Sequence, residues 1–214
     1  MESNSNLRNL YFVGRNYTQH AAELGNAVPE QPLIFTKPTH AQAKLEGEIT
    51  LPFDRGAVHY EGEVVVRIGQ SYEPGEPWSE MVDAFALGID LTLRDVQTEL
   101  KEKGHPWLAA KGFKQSAVLS PFVSLLSLSS HDELLETPFF LHVNGVQRQE
   151  GRLGETIFSL QQIVDFIGQH YGLDQGDVIF TGTPAGVGAL KEQDEIELFW
   201  GETSAGRCKV IAAP

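Results

Sequence analysis

The 214-residue sequence predicts an α+β fold that is rich in β-strand and carries a few short helices. Three observations lead there. Glycine and proline punctuate the chain densely, with 21 Gly and 11 Pro, so the segments between them are short. Several of those segments alternate in polarity or run in β-branched and aromatic residues, as strands do. One stretch, by contrast, carries the i, i+3, i+4 apolar spacing of an amphipathic helix.

The elements follow in order. Leu10–Val13 reads as a short strand, Thr18–Leu24 as one or two helical turns stopped by Gly25, and Pro29–Pro38 as extended chain. Tyr60–Ile68 alternates: Tyr60, Gly62, Val64, Val66 and Ile68 face one way, and Glu61, Glu63, Val65 and Arg67 the other. Phe85–Leu91 is a further strand. Thr92–Lys101 reads as a helix, with Thr92 as its N-cap and Asp95 at N3 completing a capping-box-like pair. Phe139–Val143 and Val146–Arg148 flank Asn144-Gly145, a strong hairpin signal. The clearest helix runs from Ser159 to about Tyr171. Ser159 and Gln162 form its capping box, Leu160, Ile163, Val164 and Ile167 its apolar stripe, and Gly172 its stop. Strands are expected at Asp177–Phe180, Asp194–Trp200 and Arg207–Ala212. With no repeat, low-complexity segment or linker, a single domain over residues 1–214 is expected.

Composition narrows the function classes. A hydrophobic fraction of 41% supports a substantial core, and 9% aromatic content argues against disorder. The net charge of −13 disfavours nucleic acid and anionic membrane surfaces, both of which select clustered Lys and Arg. No apolar run approaches the ~18 residues of a membrane span. The one cysteine, Cys208, excludes an intrachain disulfide framework and reads as inert core or edge. The first residues, Met-Glu-Ser-Asn-Ser-Asn, lack the pattern of a secretory signal, so a cytoplasmic protein is expected.

Six features carry potential chemistry. On a strand, Glu61 and Glu63 share a face about 6–7 Å apart, where two carboxylates can converge on one cation; the alternative is a solvated strand face. Asp90 ends an apolar strand, and a carboxylate in such a run needs a donor, a cation or a metal unless it is a turn residue. Arg94 and Gln97, three apart on the following helix, share a face that is solvent by default. His20 and Glu23 have the spacing at which a carboxylate orients an imidazole as a general base, although a surface ion pair has the same spacing. Lys111, near Trp107, is either a partly desolvated site lysine or a snorkelling one. The run Thr181-Gly182-Thr183-Pro184-Ala185-Gly186-Val187-Gly188 is no nucleotide-binding motif; it is either a plain turn or a cradle for a small carboxylate.

Taken together and in order, GRNYxxHxxE, a Lys-Pro, HYEGE, DxTxRDxQ, PWxxAK, the Asn-Gly hairpin and GDVIFTGTPAGVG resemble the fumarylacetoacetate hydrolase family, specifically its compact acylpyruvate hydrolase type. The resemblance runs from about Val13 to Gly188. It implies a mixed β-roll, a homodimer and a divalent ion, Mg²⁺ or Mn²⁺. It also implies Glu61, Glu63 and Asp90 as metal ligands, Arg94, Gln97 and Thr183 as substrate contacts, and His20, Glu23 and Lys111 as catalytic groups. The substrate class it implies is a small dicarboxylic or 2-keto acid. The activity expected first is C–C hydrolysis of a 2,4-dioxo acid (an acylpyruvate) to pyruvate and a carboxylic acid. Decarboxylation or keto–enol tautomerisation of oxaloacetate at the same site is the alternative.

Overall fold

The computed structural model describes residues 7–18 and 29–213. Its strands form three sheets. The largest assembles β2 (Leu33–Lys37), β1 (Leu10–Gly14), β13 (Val178–Phe180), β6 (Gly62–Ile68), β7 (Val82–Asp90), β9 (Ala117–Leu119) and β3 (Gln42–Lys44) in that spatial order, with β10 (Val123–Ser124) also pairing with β7. The β1–β13 and β3–β9 pairs are parallel and the others antiparallel, so the sheet is mixed. A second sheet runs β12 (Val146–Gly151), β11 (Phe139–Val143), β15 (Glu195–Trp200), β16 (Thr203–Ala212) and β4 (Glu48–Leu51). A small third sheet joins β14 (Gly188–Ala189), β5 (Val58–Tyr60) and β8 (Thr92–Leu93). Five short α-helices lie wholly among the described residues, the longest being Leu160–His170. The β-rich α+β class and the mixed β-roll therefore hold. No helix among the described residues is long and apolar enough to cross a membrane.

The alternation along β6 sets the packing. Val64, Val66 and Ile68 enter the main core together with Leu141, Leu198 and Ile163. Val65 enters a second core on the opposite face with Phe12 and Phe180, whose rings stack 4.2 Å apart. A strand buried on both faces tolerates no register slip, because each shift by one residue exchanges the two cores. Arg67, an odd charge on that strand, is bidentate to Asp83, with Nε and Nη2 2.8 and 2.9 Å from the two carboxylate oxygens, and its guanidinium lies 5.3 Å from the Phe122 ring.

Local signals hold where partners are close in sequence. Asn144 and Gly145 adopt φ of 53° and 74°, the left-handed pair of a tight hairpin turn. Ser159 caps the Leu160–His170 helix, and Gln162 returns a bond to the Ser159 main-chain N–H, closing the capping box. Cys208 is buried, and burial followed by the Glu195 charge pushes its thiol up to about 12, consistent with an inert core group.

The segment after β7 differs from expectation. Thr92 and Leu93 form β8, pairing with β5, and the helix starts at Arg94 with no side-chain cap. The Thr92 hydroxyl instead donates to Glu61 Oε1 at 3.1 Å, and the Asp95 carboxylate accepts from the Ala57 main-chain N–H at 3.0 Å. Both would-be capping groups are taken by tertiary partners. The expected turns at Thr18–Leu24 lie, beyond Thr18, outside the described residues.

Candidate active site

The register of β6 against β7 builds the centre of the site. Gly62 pairs with Ile89 and Glu63 with Gly88, and the Asp90 N–H donates to the Glu61 carbonyl at 2.8 Å. Asp90 is thus directly opposite Glu61, and Glu63 lies two residues along, so all three side chains point from one face. Their carboxylate oxygens lie within 4.8 Å of one another, and none of the three residues is more than 6% exposed. Gly62 is closely approached by its neighbours: a Cβ there would stand 3.1 Å from Leu141 Cδ1 and 3.2 Å from Gln149 Oε1, so either side chain would have to give way.

Three carboxylates out of water demand opposite charge. Lys111 Nζ donates to Glu61 Oε2 at 2.8 Å and to Asp90 Oδ2 at 2.6 Å, and Arg94 Nη2 pairs with Glu61 Oε1. Lys37 Nζ makes ion-pair contact with Asp90 Oδ1 at 2.5 Å. Its hydrogen bonds, however, go to the main-chain oxygens of Leu91 and Ser116, so Asp90 Oδ1 accepts no well-aligned hydrogen bond. The two lysines respond differently. Burial brings the Lys37 ammonium down to about 8, against the pull of Asp90 and with the repulsion of Lys111. Burial also works against Lys111, but Asp90 and Glu61 together outweigh it and hold that ammonium above its ordinary range. Burial, then the Asp90 charge, pushes Glu63 well up, opposed by the Gly182 N–H that donates to its Oε2 at 2.7 Å.

This set fits a divalent cation. Its donors are hard carboxylate oxygens gathered within 4.8 Å of one another, and Asp90 Oδ1, beside the Lys37 ammonium, accepts no aligned hydrogen bond.

The pocket above these carboxylates is lined by Lys111, Arg94, Gln97, Thr183, Phe35 and Trp107, among others. The Arg94–Gln97 face, solvent by default in the sequence, is turned inward by β8: Gln97 is buried, and Arg94 Nη1 donates to its Oε1 at 2.6 Å. Lys111 does not snorkel, since its ammonium is buried 5.0 Å from the Phe35 ring. The loop after β13 is more than a plain turn: it supplies the Gly182 N–H to Glu63 and sets Thr183 in the pocket wall. The structure thus gathers Glu61, Glu63, Asp90, Arg94, Gln97, Lys111 and Thr183 around one cavity, while His20 and Glu23 lie outside the described residues. Two buried residues here had no assigned role in the sequence. Lys37 was visible only as the Lys of a Lys-Pro pair, and Gln149 gave no signal.

Residues 9–210 match the family model described as fumarylacetoacetate (FAA) hydrolase C-terminal, and the chain belongs to that family. Among its relatives, the oxaloacetate tautomerase YcgM of Escherichia coli is 38% identical over 186 residues, spanning 86% of this chain and 84% of that protein. The human mitochondrial oxaloacetate tautomerase FAHD1 is 40% identical over 192 residues, spanning 89% of this chain and 86% of that protein. A crystal structure of Pseudomonas aeruginosa fumarylpyruvate hydrolase in complex with Mn²⁺ and pyruvate superposes with a TM-score of 0.87 at 33% identity, covering 97% of this chain and 91% of that one.

Proposed function

We propose that this protein enolises a small 2-keto dicarboxylic acid, with keto–enol tautomerisation of oxaloacetate as its reaction and Mg²⁺ or Mn²⁺ as its cofactor. The observation that carries the reading is the buried Lys111 ammonium, hydrogen-bonded to two carboxylates that face the same cavity. The oxaloacetate tautomerases among the relatives, at 38–40% identity, support the choice of substrate. Glu61, Glu63 and Asp90 are the residues that would hold the cation, which supplies Lewis-acid polarisation of a 2-keto carbonyl. Lys111, kept charged by its carboxylate neighbours, adds positive charge beside the developing enolate oxygen. Arg94, Gln97 and Thr183 bind and orient the 2-keto acid, and Phe35 and Trp107, edge to face at 5.7 Å between centroids, keep water from that end.

The second reading is hydrolysis of a 2,4-dioxo acid, favoured by the likeness to fumarylpyruvate hydrolase. It needs a base for water, and the His20–Glu23 spacing is the sequence feature that would provide one. The test follows enol-oxaloacetate decay with protein stripped by chelator and resupplied with Mg²⁺ or Mn²⁺, alongside pyruvate release from acetylpyruvate. Cation-restored acceleration of the decay, lost in Glu61→Gln, is expected. Pyruvate release without that acceleration would transfer the assignment to the hydrolase, and inactivity on both substrates would sink the two readings together.

A further inference from the structure

One buried side chain beside the pocket has no part in the chemistry proposed so far. Gln149 is buried, although it stands on β12 among exposed residues, Gln147 and Arg148 before it and Glu150 after. A β-bulge turns it inward. Leu141 of β11 pairs with Gln149 but His142 pairs with Gln147, so Arg148 has no residue opposite it. In an unbroken strand residues two apart share a face; across this bulge the two glutamines fall on opposite faces. Bulges gather beside ligand sites, where the extra residue re-aims a side chain.

The main chain fixes which way the Gln149 amide faces. The Gly62 N–H, 2.9 Å from Oε1, can only donate, and the Pro184 carbonyl, 2.9 Å from Nε2, can only accept. Neither bond survives a flip of the amide. Nε2 is therefore also the donor in the 2.8 Å contact with Thr183 Oγ1. A threonine hydroxyl carries one hydrogen, and with an N–H aimed at its oxygen that hydrogen leaves in another direction. The same amide occupies the adjacent Pro184 carbonyl, an acceptor that would otherwise compete for the hydrogen. Thr183 itself forms part of the pocket wall, next to the Gly182 N–H that donates to Glu63.

We propose that Gln149 is a positioning residue that makes Thr183 a hydrogen-bond donor toward the pocket, and so acts through it on a carboxylate of the substrate. The proposal rests on the reading above only in taking Thr183 as a contact of the bound 2-keto acid. An ionised carboxylate accepts and never donates, so a hydroxyl held as a donor matches it. A freely turning hydroxyl would present its lone pairs to the same anion part of the time.

The test is a double-mutant cycle with oxalate, two carboxylates and nothing else, as the probe. Its dissociation constant is measured by calorimetry on Mn²⁺-saturated protein, and that of Mn²⁺ alone on the same proteins. Thr183→Val is expected to weaken oxalate about tenfold. Gln149→Met is expected to weaken it about fivefold in the wild type and in Thr183→Ser, which keeps a hydroxyl, but by less than about 1.5-fold in Thr183→Val. Mn²⁺ affinity should stay within about twofold throughout. A glutamine that only braces the strand would act alike in all three backgrounds. Equal weakening in Thr183→Val, no effect of Gln149→Met, weakening that follows a loss of Mn²⁺ affinity, or no binding of oxalate to the wild type would overturn the proposal. Where Gln149→Met does not fold, Gln149→Asn, shorter and still polar, runs the same cycle with the same coupling expected. Coupling in a protein that fails to tautomerise oxaloacetate would leave the positioning role standing and remove the reaction. Tautomerisation without coupling would do the reverse.

Discussion

Gln149 has no reactive group, yet it joins the two halves of the site. Its Oε1 accepts from the Gly62 N–H at 2.9 Å, between the two glutamates, while its Nε2 donates to Thr183 Oγ1 at 2.8 Å and to the Pro184 carbonyl at 2.9 Å. The side chain is buried, so Gln149→Leu would strand a donor and two acceptors away from water. Leaving a buried polar group unmade costs about 1–3 kcal/mol. Relaxation of the 183–184 loop should rescue some of these bonds, so a total loss of about 2–4 kcal/mol in urea unfolding is expected. A loss under about 0.5 kcal/mol, the range of an ordinary surface change, would show that water replaces the amide. The same residue explains what the sequence concealed. Glu61 and Glu63 were legible from the strand face they share and Asp90 from the apolar strand it ends, and the family resemblance joined the three as one ligand set. Gln149 lies 87 residues from Gly62 and 34 from Thr183, in a strand whose outward residues are also polar. Nothing local separates it from Gln147. Lys37 was hidden likewise, its partner Asp90 lying far along the chain on another strand.

At the scale of elements, the capping box of the Leu160–His170 helix is a reciprocal pair whose worth can be measured. Ser159 Oγ accepts from the Gln162 N–H at 3.3 Å, and Gln162 Oε1 accepts from the Ser159 N–H at 2.9 Å. Ser159→Ala should cost about 1 kcal/mol in urea unfolding. Combined with Gln162→Ala, the total should fall short of the sum of the singles, because either change breaks the reciprocity. Strict additivity would mean that the two bonds act independently. This helix was readable for the reason that makes it testable: its cap, apolar stripe and stop at Gly172 all lie within one short segment. The pattern at Thr92 and Asp95 looked equivalent and failed, because Glu61 and the Ala57 N–H claim the two side chains. A cap signal predicts a helix start only where no buried partner competes for its oxygen. Strands such as β3 and β9, three residues each, are too short for alternation to register. They exist because they pair in parallel with each other, a fact of topology rather than of pattern.

Across the whole molecule, charge at the site can be counted against charge of the chain. At their formal charges Glu61, Glu63 and Asp90 contribute −3, and Lys37, Lys111 and the partly buried Arg94 contribute +3, so the set balances. A divalent cation would leave that set at +2, which a dianion brings back to zero. Cation and dicarboxylate should therefore bind cooperatively, each raising the affinity of the other by the same factor. Any ligand that binds only the folded state stabilises it by about 2.7 kcal/mol at a hundredfold excess over its dissociation constant. For a chain of this size that corresponds to roughly 5–10 °C in Tm. Mn²⁺ is expected to raise Tm on that scale, and oxalate, a small stable dianion, to add a further rise only when Mn²⁺ is present. The control is decisive because a surface of net charge −13 collects cations non-specifically. Glu63→Gln leaves that surface almost unchanged but removes one buried carboxylate, so both the Mn²⁺ rise and the oxalate increment should shrink sharply in it. If Mn²⁺ raises Tm equally in wild type and Glu63→Gln, the cation is binding elsewhere and the buried carboxylates are a structural ion-pair network. If oxalate acts equally with and without Mn²⁺, the charge balance at the floor of the pocket does not couple the two ligands.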